Sequence, residues 1–258
     1  MPEPVAALSI DLNSDLAEGF GAYTMGDDEA ILKIVSSANV ACGLHAGDPE
    51  IMARVFGLAK QLGVKAGAHP GLPDLWGFGR RVIPFSTGEI ERLVAYQIGA
   101  AQALSVYSGN PITYVKVHGA LSHMAHADVQ IATAIGRAMK AVDARLVCLT
   151  FPNGPMRQVA QDLGLRVAAE IFADRGYTED GALVPRNQPG ALLHDPKVAA
   201  ARALRMVRGG GVETLSGRML PMKVESICVH SDTPGAVELA AEVRRTLEAA
   251  GVVIRAFA

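Results

Sequence analysis

The chain has 258 residues, half of them hydrophobic, with 24 Lys and Arg against 26 Asp and Glu. A net charge of −2 and a pI near 6.4 argue against nucleic acid or an anionic membrane as a main partner. The three cysteines have no CxxC spacing, the start Met1-Pro2-Glu3-Pro4 lacks the pattern of a signal peptide, and no apolar run is long enough to span a bilayer. A cytoplasmic protein with reduced core thiols at Cys42, Cys148 and Cys228 is therefore expected.

The size suits one α/β domain, a (β/α) barrel over residues 1–258, and the strand–helix rhythm agrees with it. The spacing predicts strands at 7–14, 37–44, 64–69, 112–118, 145–150, 166–173, 225–230 and 252–257. The first has a period of two. Asp11, Asn13 and Asp15 share one face, Ile10, Leu12 and Ser14 the other, and Glu18 with Gly19-Phe20-Gly21 follows. Carboxylates pointing the same way inside a fold need water, a counter-charge or a metal. Asp48-Pro49 then opens a helix that Gly63 closes, which makes Asp48 an N-cap. Ser86 and Glu89 form a capping box ahead of the next helix. Val129, Ala132, Ile135 and Met139 mark one over 128–142. Asp195-Pro196 opens a helix ending at Gly209, and Thr233-Pro234 opens the last, ending at Gly251. Two irregular stretches, 70–86 and 175–194, each follow a strand, and Asp180-Gly181 predicts a tight turn in the second.

Chemically capable residues gather at the predicted strand ends. His45, His69, His118 and His230 all lie there, and Tyr114, Lys116 and His118 share one strand face, as do His230 and Asp232. The carboxyl ends of strands form the site-bearing face of parallel α/β folds. A barrel is expected whose upper interior is polar, with Asp11, Asp15, Lys116, His45, His69, His118 and His230 converging. Lys116 reads as an ion-pair partner of Asp11 or Asp15, compatible with a catalytic role; a Schiff-base role is a further option. Gly77-Phe78-Gly79-Arg80-Arg81 reads either as an anion cradle or as a surface turn. Asp232 reads as a helix cap or a site residue, and His123, His126 and His194 as surface residues. No P-loop or GxGxxG occurs, so no nucleotide pocket is visible.

At these motifs the chain resembles the LamB/YcsF family of 5-oxoprolinase A subunits. The matching pieces are Asp11-Leu12-Asn13-Ser14-Asp15 through Gly21, Asn39 through Pro49 with Cys42-Gly43-Leu44-His45, and Gly67-Ala68-His69-Pro70-Gly71 through Arg81. Lys116 with His118-Gly119-Ala120-Leu121, Phe172-Ala173-Asp174-Arg175 through Arg186, and Cys228-Val229-His230 complete the set. The resemblance implies a barrel of the glycoside hydrolase/deacetylase type, usually seven-stranded and open to distortion. It also implies ATP-dependent opening of the 5-oxoproline lactam to L-glutamate, with partner subunits B and C. Ala17 and Ser231 stand where glycine is usual, Val117 where proline is usual, and Ser122-His123 in place of a tyrosine–asparagine pair.

On this reading Asp15 is the expected general base, helped by Asp11, while Lys116 and His118 stabilise negative charge or protonate the leaving nitrogen. Substrate contacts are expected from Asn13, Glu18, Arg80, Arg81, His230 and Asp232. ATP is the expected co-substrate. A divalent metal, if used, is expected on Asp11, His45 and His69. A homo-oligomer is compatible with the sequence. Two rivals stand beside this: a metal-dependent amidohydrolase or deacetylase acting alone, and a non-catalytic subunit that only presents 5-oxoproline.

Overall fold

The structure, a computed structural model, describes residues 8–258. Alternation makes β1 (Ser9–Leu16): Ile10, Leu12 and Leu16 pack outward among the helices, and Asp11, Asn13 and Asp15 turn inward. The chain then runs α1 (Asp28–Leu32), β2 (Ser37–Ala41), α2 (Pro49–Leu62), β3 (Lys65–His69), α3 (Thr87–Tyr107) and β4 (Tyr114–Val115). It continues through α4 (Gly119–Ala127), α5 (Val129–Asp143), β5 (Val147–Thr150), α6 (Pro155–Asp162) and β6 (Val167–Phe172). After α7 (Pro196–Gly209), β7 (Gly211–Glu213) and β8 (Met219–Pro221) form an antiparallel hairpin outside the barrel. Then come β9 (Ser226–Cys228), α8 (Ala236–Ala249) and β10 (Val253–Ile254).

Strands β1 to β6 and β9 pair in parallel around a closed ring, which β9 completes by pairing with both β6 and β1. The expected eighth strand is corrected: β10 touches only Ser9 and Ile10 at the start of β1 and lies outside the closure. Strand ends also come earlier than the spacing predicts. β2 stops at Ala41 because Gly43 adopts φ +92°, and β4 pairs over two residues before Gly119, φ +52°, turns the chain into α4.

The helices follow their end signals. Asp48 caps α2 through the amides of Glu50 and Ile51, Gly63 ends it in the left-handed region, and Ser86 with Glu89 forms the capping box of α3. The start of α8 is a correction: Gly235, not Thr233, is its N-cap. Asp180 and Gly181 form the predicted turn, where Tyr177 bridges to Leu183. Among the described residues no helix is long and apolar enough to cross a membrane.

The barrel interior is split. Tyr114, Val147, Leu149 and Ala168 form an apolar side that Phe257 and Ala258 pack against, the Phe257 ring 5.0 Å from that of Tyr114. Gly67 makes this possible, because a Cβ there would lie 2.3 Å from the Tyr114 ring. The opposite side, from β1, β2 and β9, is polar.

Candidate active site

The polar side is stacked in tiers along the strands. In the lower tier, Asp11 accepts hydrogen bonds from Ser36 (2.7 Å), Ser37 (2.6 Å) and Ser226. Burial pushes its carboxyl up to about 6, against the pull of those hydroxyls. Asn13 donates to Ser226 (2.7 Å) and accepts from Asn39 (2.7 Å). The Asn39 Oδ1 accepts in turn from the Tyr114 hydroxyl, at 2.7 Å. Every polar group in this tier has a partner, so the expected roles of Asp11 and Asn13 are corrected. Asp11 meets no histidine, and neither residue lines the cleft above. Asp15 lies four residue steps along the strand from Asp11, a rise of about 13 Å.

The upper tier is a cluster of charges at the floor of a cleft of about 400 Å³. Lys116 Nζ lies 2.9 Å from Asp15 Oδ1, 3.0 Å from Glu170 Oε1 and 3.1 Å from Cys228 Sγ. Burial would lower the ammonium, but Asp15, Cys228 and Glu170 outweigh it and hold Lys116 well above its ordinary value. A lysine held protonated in this way is not poised as a Schiff-base nucleophile. Burial likewise pushes Asp15 up, yet its neighbours His69 and Lys116 hold its carboxyl well below the usual range. Asp15 Oδ1 also accepts from Asn39 at 2.8 Å, which ties the tiers together; Oδ2 accepts no hydrogen bond from the described residues. Burial raises the Glu170 carboxyl, offset in part by Lys116.

Beside this cluster stand three imidazoles and a carboxylate. Glu18, His45, His69 and His118 are all buried, and one ligating atom of each lies within 4.8 Å of the others. His45 stacks on His118 with ring centroids 3.8 Å apart. Burial, then His69, pushes His118 down to about 3; burial, then His118 and His69, takes His45 well below its ordinary value. Burial raises Glu18 well above the usual carboxylate range, with Asp15 and Asp232 adding to it. The carboxylate that lies with His45 and His69 is Glu18 and not Asp11, and His118 joins them as a fourth group within ligating distance. A second trio, Asp15, Cys228 and His230, is close enough to ligate an ion, but the Lys116 ammonium already sits against two of its members.

The cleft rim is cationic. Arg80, Arg175 and Arg186 line it together with His123 and His230. His230 Nδ1 lies 2.7 Å from Asp174 Oδ2, so Nδ1 carries the proton, and Nε2 accepts from Arg186 at 3.3 Å. Arg80 pairs with Asp232, so Asp232 holds a rim arginine and does not cap a helix N-terminus. Arg81 is corrected: Asp74 holds it, and it does not line the cleft. The Gly77–Arg81 segment is scaffolding more than an anion cradle. The Phe78 carbonyl accepts from His118, and a Cβ on Gly79 would come within 2.7 Å of His45.

Sequence reasoning missed the parts played by Glu170, Arg175, Arg186, Asp174, Asn39 and Tyr114. For Glu170 a signal existed: an acid amid Ala168-Ala169 and Ile171, on the strand face of Phe172. His123, expected at the surface, lines the cleft mouth. Of the departures from the family pattern, Val117 and Ser122 line the cleft, and the Ser231 hydroxyl donates to the Asp15 carbonyl. Ala17 adopts φ +59°, a conformation that costs a non-glycine residue roughly 1–2 kcal/mol.

The profile described as LamB/YcsF family matches residues 10–258. The A subunit of 5-oxoprolinase from Azorhizobium caulinodans is 62% identical over 250 residues, covering 97% of this chain and 99% of its own. Its counterpart from Gluconobacter oxydans, also an A subunit of 5-oxoprolinase, is 57% identical over 252 residues, covering 98% and 99%. The crystal structure of the lactam utilization protein from Thermus thermophilus superposes with a TM-score of 0.93 at 45% identity, covering 97% of this chain and 100% of its own.

Proposed function

The chain belongs to the LamB/YcsF family, and from that premise we propose that it opens the lactam of 5-oxoproline to L-glutamate as one component of an ATP-hydrolysing complex with subunits B and C. One observation carries the reading. A protonated lysine and two acids, Lys116 between Asp15 and Glu170, form the floor of a cleft whose rim bears Arg80, Arg175 and Arg186.

5-Oxoproline carries a carboxylate and an amide in a small ring. The rim guanidinium groups suit the carboxylate or a phosphoryl group, and the floor suits the amide. A lactam amide is a poor electrophile. Phosphorylation of its oxygen by ATP gives an imidate-like carbon that water attacks. Asp15 orients that water and takes its proton through Oδ2. Lys116 offsets the negative charge that develops, and a fixed charge of this kind is typically worth about two to three powers of ten in rate. Water addition gives a tetrahedral carbon, cleavage of its C–N bond opens the ring to an amine and an acyl phosphate, and a second water releases phosphate to leave glutamate. Lys116, held protonated at the floor, is placed to give a proton to the leaving nitrogen, while His230, oriented by Asp174, positions Arg186 at the rim.

The test is 5-oxoproline-dependent ATP hydrolysis and glutamate formation by the purified chain, with and without subunits B and C. Turnover is expected only with ATP and all three components present. Glutamate formation by the chain alone, without ATP, would overturn this and favour a stand-alone amidohydrolase. Unchanged turnover after loss of Asp15 and Lys116 would favour a presenting role only.

A further inference from the structure

We propose that Glu18, His45, His69 and His118 bind a divalent transition-metal ion. The site follows from where the ring protons sit and does not depend on which substrate the cleft takes. His69 Nδ1 lies 2.7 Å from the Lys116 carbonyl, and His118 Nε2 lies 2.8 Å from the Phe78 carbonyl. A carbonyl oxygen only accepts, so both of those nitrogens carry their ring's proton. In the neutral rings the remaining nitrogens, His69 Nε2 and His118 Nδ1, present lone pairs, and they face each other at 3.0 Å. Two lone pairs that close demand something positive beside them.

A single proton between the two rings would satisfy those two atoms and leave three others stranded. Glu18 Oε1 and both ring nitrogens of His45 are buried without a hydrogen-bond partner. Buried polar atoms in this state are costly, and a cluster of them aimed at one point marks a missing ligand. One divalent ion takes Glu18 Oε1, the two facing lone pairs and one of the two His45 nitrogens. Glu18 Oε1 is 3.8 Å from His118 Nδ1, and Asp15 Oδ1 is 3.4 Å from His69 Nε2, so two carboxyl oxygens flank the spot. Three imidazoles and a carboxylate suit zinc-class ions and not calcium or magnesium, which prefer all-oxygen sets. The carbonyls behind His69 and His118 fix the tautomers, as outer partners of metal-bound histidines do.

The donors are not equivalent. His69, His118 and Glu18 form the core of the site. The His45 ring lies parallel to that of His118, 6° apart in plane, and reaches the same ion only by turning. Its loss should weaken binding least.

The test uses the full wild-type chain, stripped with a chelator and titrated with Co²⁺ alone. One Co²⁺ per chain is expected, with the intense visible d–d absorption of a low-coordinate nitrogen and oxygen site, displaced by Zn²⁺. Zn²⁺ should also raise the unfolding temperature of the stripped wild type. His69→Ala and Glu18→Gln are expected to weaken Co²⁺ binding by about a hundredfold, and His45→Ala by about tenfold. A wild-type chain that gives no saturable band and takes up no stoichiometric Zn²⁺ by elemental analysis would overturn the proposal. So would a band unchanged in folded Glu18→Gln and His69→Ala. A far-downfield proton resonance shared by His69 and His118 that persists in excess Zn²⁺ would assign the site to a proton instead, and overturn it equally.

Discussion

The two polar tiers inside the barrel use similar residues to opposite ends. In the lower tier Asp11, Asn13, Asn39 and Tyr114 are closed off by Ser36, Ser37 and Ser226, and each donor meets an acceptor. In the upper tier Glu18 and His45 keep buried polar atoms without partners, and Lys116 is shared between Asp15 and Glu170. A satisfied network rigidifies; an unsatisfied one is held in place by its surroundings and stays ready for a ligand. On the proposed function, the difference separates support from chemistry within one strand, since Asp11 and Asp15 both lie on β1.

The largest test of that contrast is Lys116→Ala. Lys116 faces the cleft yet also lies 3.4 Å from Asn13 Oδ1, so it joins the tiers. Its loss should cut turnover of the reconstituted complex by at least about a hundredfold. It should also cost roughly 3–5 kcal/mol of stability, because Asp15 and Glu170 lose their cation. Urea unfolding with parallel turnover assays reads both, and a variant with normal stability would sever the link between tiers. Next is Gly67→Ala, which drives a methyl group into the Tyr114 ring. It should cost about 1–3 kcal/mol in the same unfolding assay while the folded fraction keeps its kcat. A change in kcat without loss of stability would break the comparison.

Asp11 gives a pH signature of the lower tier. Its folded carboxyl sits near 6 against an unfolded value of 3.8, so the folded chain binds the extra proton between those limits. Its contribution therefore favours the fold at low pH and is lost as pH rises from about 4 through 6. It amounts to roughly 2–4 kcal/mol. Asp11→Asn should flatten that part of the stability–pH curve, and an unchanged slope would show that Asp11 does not titrate there. The smallest effect belongs to Arg81→Ala, outside both tiers: turnover should match wild type with a small drop in unfolding temperature as Asp74 loses its partner, and a raised KM would return Arg81 to the site.

Period-two alternation is enough to read the inward face of β1, and histidines at strand ends are enough to read which rim is polar. Asp15, Lys116, His69 and His118 do lie together there. What parity does not resolve is height. Asp11 shares a face with Asp15, but each strand residue adds about 3.3 Å along the barrel, so the same face spans both tiers. Glu18 reads as a substrate contact in the sequence because it lies past the strand, where the turn at Ala17 carries it among the histidines. The hairpin of β7 and β8 and the short α1 and α6 carry too few apolar residues to show a period. The caps are the most legible feature, since Asp48, Ser86 and Asp195 act through their own neighbours' amides.

The central claim is that catalysis resides in the upper tier and not the lower, and a pair of conservative variants tests it most directly. Asp15→Asn and Tyr114→Phe, each confirmed folded by circular dichroism, are assayed for 5-oxoproline-dependent glutamate formation in the complex. Asp15→Asn should lower kcat by about 10²–10⁴-fold. Tyr114→Phe, which strips Asn39 Oδ1 of its donor, should lose about 1–3 kcal/mol of stability with kcat near wild type. Near-normal turnover by Asp15→Asn, or an equal collapse in Tyr114→Phe, would contradict the claim.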